Sequence, residues 1–160
     1  LVTHHFEEPF NKPNEYAMKV SSLANQLSCG SVIVQKFGDV LMGRRTNQKR
    51  LAEGFVRPTL KEAVPGDLAS CLPQKTMQSI IEMIKVLDYI TPGIATEHTL
   101  LYGVEAKYYS AHPKIDNKFE VSDIGHLYVG GDGAGLTRGL AQAGANGVYV
   151  ARNILERLGK

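Results

Sequence analysis

A chain of 160 residues has room for one good core and a small second lobe. Its net charge of +2 is too small to argue for a nucleic-acid partner or an anionic membrane surface. No apolar run reaches the ~20 residues of a membrane helix, and two cysteines, Cys29 and Cys71, without a CxxC pair give no metal or disulfide framework. No signal peptide opens the chain, and the cysteine usage makes a reducing cytoplasm the expectation. The start, Leu1-Val2-Thr3-His4-His5-Phe6, has no initiator Met and reads as a cut through a longer polypeptide.

Residues 6–13, with Pro9 and Pro13, read as a loop. Asn14 can cap a helix that carries Tyr16, Val20, Leu23, Ala24 and Leu27 at helical spacing and ends at Gly30. Val32-Ile33-Val34 is a short apolar run that fits a strand or the approach to a short helix over 35–42. Residues 43–66 are polar and glycine- and proline-punctuated, and read mostly as loop. Asp67 can start one helical turn, and Pro73 stands where a helix begins. Met77, Ile80, Ile81, Ile84, Leu87 and Ile90 mark an amphipathic helix, ended by Thr91-Pro92-Gly93. Thr99 to Ser110 is rich in Leu, Tyr and Val and predicts a strand. Residues 113–121 predict another, split by Asp116-Asn117, and Leu127–Val129 a short buried one. A closing helix is expected from Thr137 to Leu158, with Leu140, Val148, Ala151, Leu155 and Leu158 along one face and Arg152, Arg157 and Lys160 near its negative end. The fold class is α+β: a mainly helical lobe over 1–95, then a small, mostly antiparallel sheet and a strand–turn–helix unit over 96–160.

The most informative stretch is Leu127 to Leu140. An apolar strand runs into a glycine cluster holding one carboxylate, Asp132, and a helix follows. Glycines let backbone approach a ligand closely, and a helix start offers unpaired N–H groups with partial positive charge. A carboxylate there can accept hydrogen bonds from vicinal sugar hydroxyls, while turn N–H groups face a carbonyl or phosphate oxygen. The spacing is neither GxGxxG nor a P-loop, so the turn is not a primary pyrophosphate cradle. A tight βα connection whose glycines serve only geometry is the competing reading.

The segment Gly130-Gly131-Asp132-Gly133-Ala134-Gly135, with Thr137-Arg138-Gly139 and the trailing Ala143-x-x-Asn146-Gly147-Val148-x-x-Ala151-Arg152, resembles the C-terminal flavin motif of FAD-dependent dehydrogenases. More narrowly, the chain is similar to uncharacterised bacterial and archaeal NAD(FAD)-utilizing dehydrogenases. The shared landmarks are Gln35 through Asp39, Pro65-Gly66-Asp67-Leu68 with Leu72-Pro73, Gly103-Val104-Glu105 and the turn itself. The resemblance implies a Rossmann-like FAD domain whose last βα unit lies here. It implies Asp132 as ribitol ligand, Gly131, Gly133, Ala134 and Gly135 as backbone beside the flavin, and Leu136 and Thr137 opening a helix that faces the ring. Those proteins carry an N-terminal GxGxxG for the FAD pyrophosphate, which is absent here. The chain is therefore expected to be a C-terminal fragment whose partners are flavin, the rest of the same polypeptide and a small-molecule substrate, with NAD(P) as a possible co-substrate. A lone fragment is expected to bind FAD poorly and to dimerise through its unpaired apolar edge. The rival expectation is a non-catalytic binding or interaction module with a purely structural turn.

Other residues carry less. Tyr108, Tyr109 or His112 can serve as a proton donor or stacking wall beside a flavin, or can be ordinary strand residues. Arg44, Arg45, Lys49 and Arg50 can bind a phosphate or an acidic partner, or can be a solvated loop. Cys29 and Cys71 read as plain thiols, and His4, His5, His98, His112 and His126 show no ligand spacing.

Overall fold

The structure, a computed structural model, describes residues 2–108 and 112–159. Tyr109 and Ser110, the end of the expected strand, and Lys160 lie outside the described residues. The described residues form an α+β arrangement with five α-helices and one three-stranded mixed sheet. They divide into two compact units, Leu1–Lys107 and Tyr108–Lys160.

In the first unit, α1 spans Pro13–Leu27. Pro13 stands in its first turn, where the missing N–H costs no helical bond. The helix ends as Ser28 donates its hydroxyl to the Ala24 carbonyl and the chain turns through Cys29 and Gly30, both with positive φ. Then β1, Ile33–Lys36, runs through the middle of the sheet. Strand β2, Val64–Pro65, pairs parallel with it, and β3, Leu100–Gly103, pairs antiparallel from Ile33↔Gly103 to Lys36↔Leu100. A central strand must be apolar on both faces, and Ile33 and Val34 are buried accordingly. Pro65 lacks an N–H and is confined to an edge, where it stands.

Two short helices follow β1: α2, Phe37–Leu41, and α3, Gln48–Ala52. Asn47 caps α3 by accepting from the Arg50 N–H. The Asp67 carboxylate likewise caps a 3₁₀ turn over Leu68–Ser70. The long helix α4, Gln74–Ile90, begins after Pro73 as its spacing predicts. Its C-terminal loop folds back on Asp88, whose carboxylate accepts from the N–H groups of Gly93 and Ala95. These bonds, Ala95 foremost, hold the Asp88 carboxyl below its usual range. The core gathers Ala24, Ile33, Phe37, Val40, Leu68, Cys71 and Met77, and burial raises the Cys71 thiol, helped by Asp67.

Two expectations change here. The sheet is mixed rather than mostly antiparallel, because β2, from the stretch read mostly as loop, joins β1 in parallel; β1 itself lies on the Val32-Ile33-Val34 run that fitted a strand or the approach to a short helix. The expected boundary at residue 95 falls inside the first unit, because β3 hydrogen-bonds to β1.

The second unit is built on turns and one helix. Residues 113–121 and 127–129 form isolated bridges, Ile115↔Val121 and Glu120↔Tyr128, instead of the expected strands. The Asp116 side chain explains the break: it accepts from the N–H groups of Lys118 and Glu120 and holds a turn. After the glycine turn comes α5, Leu140–Arg157. No helix among the described residues is long and apolar enough to cross a membrane.

Candidate functional site: the glycine turn and its groove

Gly131 enters the turn with φ 71°, Asp132–Ala134 form one 3₁₀ turn, and Gly135 leaves it left-handed with φ 71°. An L side chain is strained at both glycines, which is why the chain can reverse here. The N–H of Gly135 donates to the Asp132 carbonyl and that of Leu136 to the Gly131 carbonyl. Asp132 is exposed, and its carboxylate accepts the Thr137 hydroxyl. A Cβ built on Gly131 or Gly133 would meet nothing within 4 Å, so backbone is open to approach at both. Ala134 is buried and offers a ligand only its backbone.

The turn is tied to α5 by Asn146. Its side-chain oxygen accepts from the Gly131 N–H at 2.8 Å, and a Cβ on Gly130 would sit 2.8 Å from the same oxygen. Asn146 is buried, so the bond is sheltered from water. A second buried amide on the same helix, Asn153, donates to the Lys118 carbonyl. At the helix end, Arg157 binds both Glu120 oxygens at 2.7 and 2.8 Å and the Tyr128 hydroxyl at 3.1 Å. The Glu120 carboxyl is held below its ordinary range by the His126 N–H and then by Arg157, and the Arg157 value is raised by Tyr128 and Glu120.

Beside the turn lies an open groove of about 630 Å³, lined by Asn117, Phe119, Leu136, Thr137, Gln142, Ala145, Asn146 and Tyr149. Phe119 and Tyr149 meet edge to face at 5.6 Å between ring centres. No lining residue is charged: the wall consists of three amides, one threonine hydroxyl, two aromatic rings and the apolar Leu136 and Ala145. That chemistry suits a neutral planar ligand with hydrogen-bonding edges.

Of the predicted site residues, the structure brings Leu136 and Thr137 to the groove and leaves Asp132 exposed in the turn before it. It departs from expectation in the helix start. Leu136 and Thr137 do not open the helix; α5 begins at Leu140, with Gly139 as its N-cap. The closing helix also turns its expected apolar face outward, with Leu140, Val148, Leu155 and Leu158 all exposed. Leu127, expected in a buried strand, is exposed too. Phe119, Gln142 and Tyr149 were not expected at a site. The available signal was the asparagine pair at positions 146 and 153, two turns apart on one face of the closing helix.

The remaining candidates resolve differently. Tyr109 lies outside the described residues, Tyr108 and His112 are exposed, and neither lines the groove. The basic cluster is committed internally. Asp39, 2 % exposed, accepts from Arg44 Nε at 2.6 Å and from the Thr46 hydroxyl at 2.7 Å. Arg50 Nε lies 3.5 Å from the same carboxylate, an ion-pair distance without a hydrogen bond, and its NH2 donates to the Arg45 carbonyl. Arg45 donates to the Pro65 carbonyl. Burial alone would raise the Asp39 carboxyl, but Thr46, Arg44 and Arg50 together hold it below its ordinary value. Among the described residues no three or more His, Cys, Asp or Glu side chains gather as a metal site would need.

No family model matches the chain. It is 28 % identical over 155 residues to an uncharacterized protein of Clostridium beijerinckii, a match covering 89 % of this chain and 27 % of that protein. The chain thus spans about a quarter of the length of that relative.

Proposed function

We propose that this chain is the C-terminal portion of an FAD-dependent oxidoreductase of the NAD(FAD)-utilizing type, supplying the ribitol and isoalloxazine side of the flavin site. The observation that carries this reading is the exposed Asp132 between two glycines with open backbone, set beside an uncharged groove. A carboxylate accepts the hydroxyls of a ribitol chain. Gly131, Gly133, Ala134 and Gly135 contribute backbone, and Leu136 and Thr137 wall the ring side. Flavin, when bound, supplies the hydride or electron transfer, and the protein binds, orients and tunes it. The amides of Asn117, Gln142 and Asn146 fit the hydrogen-bonding edge of such a ring without placing a charge beside it. A Rossmann-like FAD domain, its pyrophosphate motif and NAD(P) as co-substrate belong to the rest of the polypeptide on this reading, in the cytoplasm.

A second reading, a non-catalytic interaction module with a structural turn, draws on two observations. The Thr137 hydroxyl already occupies Asp132, and α5 starts at Leu140 rather than at the turn.

Flavin absorbance of the purified full-length gene product decides between them. The flavin reading expects a yellow protein, with affinity lowered about tenfold or more by Asp132→Ala, and a colourless 160-residue chain. A full-length protein that never holds flavin, or an Asp132→Ala variant with unchanged affinity, sinks it and leaves the interaction module.

A further inference from the structure

Asn146 stands where the glycine turn, helix α5 and the groove meet. It is 9 % exposed, and its side-chain oxygen accepts the Gly131 N–H at 2.8 Å. Glycine at 130 is what lets that oxygen come so close, since a Cβ there would fall 2.8 Å from it. A backbone N–H can only donate, so the atom facing it is the oxygen, and the orientation of the amide is fixed. The amide nitrogen, with its two N–H donors, then occupies the other arm. It has no hydrogen-bond partner among the described residues. Among those residues, the side-chain atoms sealed from solvent without a bond are Arg50 Nε and His98 Nδ1. The Asn146 nitrogen is not one of them, so it keeps an opening, and the space that Asn146 lines is the groove. An unmet donor in so sheltered a place costs stability, which an acceptor on a ligand restores.

Gln142 repeats the pattern one turn earlier on α5. Its side-chain oxygen accepts the Arg138 N–H at 3.4 Å, which leaves its amide nitrogen to donate from the groove wall. Residues four apart share a helix face, so the two amides stand on the same wall. The Thr137 hydroxyl spends its proton on Asp132. Phe119 and Tyr149 add flat apolar surface, and no lysine or arginine joins the lining. An uncharged donor pair discriminates between ligands. It accepts an edge of carbonyl oxygens and bare ring nitrogens. It rejects an edge that carries N–H groups of its own, because donors would then face donors.

We propose that Asn146 is a positioning and specificity residue with two ends: its oxygen anchors the glycine turn, and its nitrogen donates to an acceptor on the edge of a planar ring. For the identity of the ring this rests on the flavin reading. The acceptor edge of the ring then faces α5. Reduction adds electrons and negative charge to that edge, so donors placed there hold the reduced ring more tightly than the oxidised one.

The test titrates the full-length gene product with FAD, oxidised and reduced, at neutral pH. Asn146→Asp keeps the size of the side chain and an oxygen for the Gly131 N–H but turns the donor into an acceptor. Gln142→Glu makes the same exchange at an exposed position that does not hold the turn. Asn146→Asp is expected to weaken oxidised FAD about tenfold and reduced FAD about a hundredfold, read also as a fall in midpoint potential. Gln142→Glu is expected to act in the same direction by about threefold. Amide exchange at Gly131 is expected to stay slow in Asn146→Asp and to quicken about tenfold in Asn146→Ala. Equal losses for the two forms of FAD overturn the proposal, as does wild-type affinity in both acceptor variants; Asn146 is then a structural tie and nothing more. A wild-type protein that never holds FAD is a different failure, visible before any substitution: it sinks the flavin reading, and the proposal falls with it.

Discussion

The two compact units bury polar side chains to opposite ends. In the first, Gln35, Asp39 and Thr46 lie beneath the surface and pin loops onto an apolar centre. Gln35 donates to the Arg44 carbonyl and accepts from the Leu68 N–H, while Thr46 donates to Asp39 and accepts from the Lys36 N–H. In the second, Asn146 and Asn153 are buried while leucines and valine on the same helix face outward. The helical glycines differ as well. A Cβ on Gly38 would come within 2.8 Å of Glu97, whereas Cβ atoms on Gly133, Gly144 and Gly147 would meet open space. The first unit closes a core around Ile33 and Phe37 while α4 leaves Met83, Val86 and Ile90 exposed; the second buries amides along α5 and exposes its leucines.

The largest effect expected in the first unit comes from removing its buried carboxylate. Asp39→Ala leaves Arg44 and Arg50 without their shared partner and Thr46 with an unmet hydroxyl. A loss of about 2–4 kcal/mol is expected, moderated because Arg44 is half exposed. Urea denaturation with amide exchange read at β1 checks it; an unchanged β1 would break the contrast drawn above. The same carboxylate fixes a pH dependence. Its folded value lies below the ordinary 3.8, so its contribution is fully present above pH 3.8 and is lost as pH falls through the folded value. Asp39→Asn should flatten that acid limb in a pH series of melts, and an unaltered limb would assign acid sensitivity elsewhere.

Gly38→Ala and Thr46→Val sharpen the comparison at a smaller scale. The new methyl at 38 would sit 2.8 Å from Glu97 Cβ and 3.1 Å from its carbonyl oxygen, so backbone must move. A cost of about 1–3 kcal/mol is expected. Thr46→Val keeps the shape but strands the Lys36 N–H and removes a donor to Asp39, at about 1–3 kcal/mol. Thermal melts of both variants should show lowered midpoints, and a neutral Gly38→Ala would mean that the Glu97 loop yields freely.

Much of this was legible in the sequence because local rules decide it. Pro13 and Pro73 mark helix starts, Thr91-Pro92-Gly93 an end, and the Met77–Ile90 spacing gives α4 its length. What escaped was long-range. β2 is two residues long and exists only because Val64 and Gly66 donate to Val32 and Val34. Residues 44–50 read as a solvated loop or a site for a phosphate or an acidic partner, since nothing local says that Arg44 and Arg50 share a carboxylate buried after β1. The α5 stripe was visible, but periodicity tells which residues share a face and not which face turns inward. At the site, the Gly-Asp-Gly turn announced itself through its composition. The groove did not, because Phe119 and Tyr149 come from segments that local pattern leaves unconnected.

The smallest expected effect bears hardest on the contrast between the units. Gly147 lies within α5, and a Cβ there would meet nothing within 4 Å. Alanine loses less backbone entropy than glycine in a helix interior, so Gly147→Ala should stabilise by about 0.5–1 kcal/mol. Gly38→Ala, in α2, should move stability the other way, although both replace a helical glycine with the best helix former. Propensity is common to the two substitutions; only the space around the new methyl differs. Opposite signs in paired melts would therefore trace the difference to packing. A destabilising Gly147→Ala would instead mean that a neighbouring backbone comes close to this face in solution, and the glycine would belong to an interface rather than to open surface.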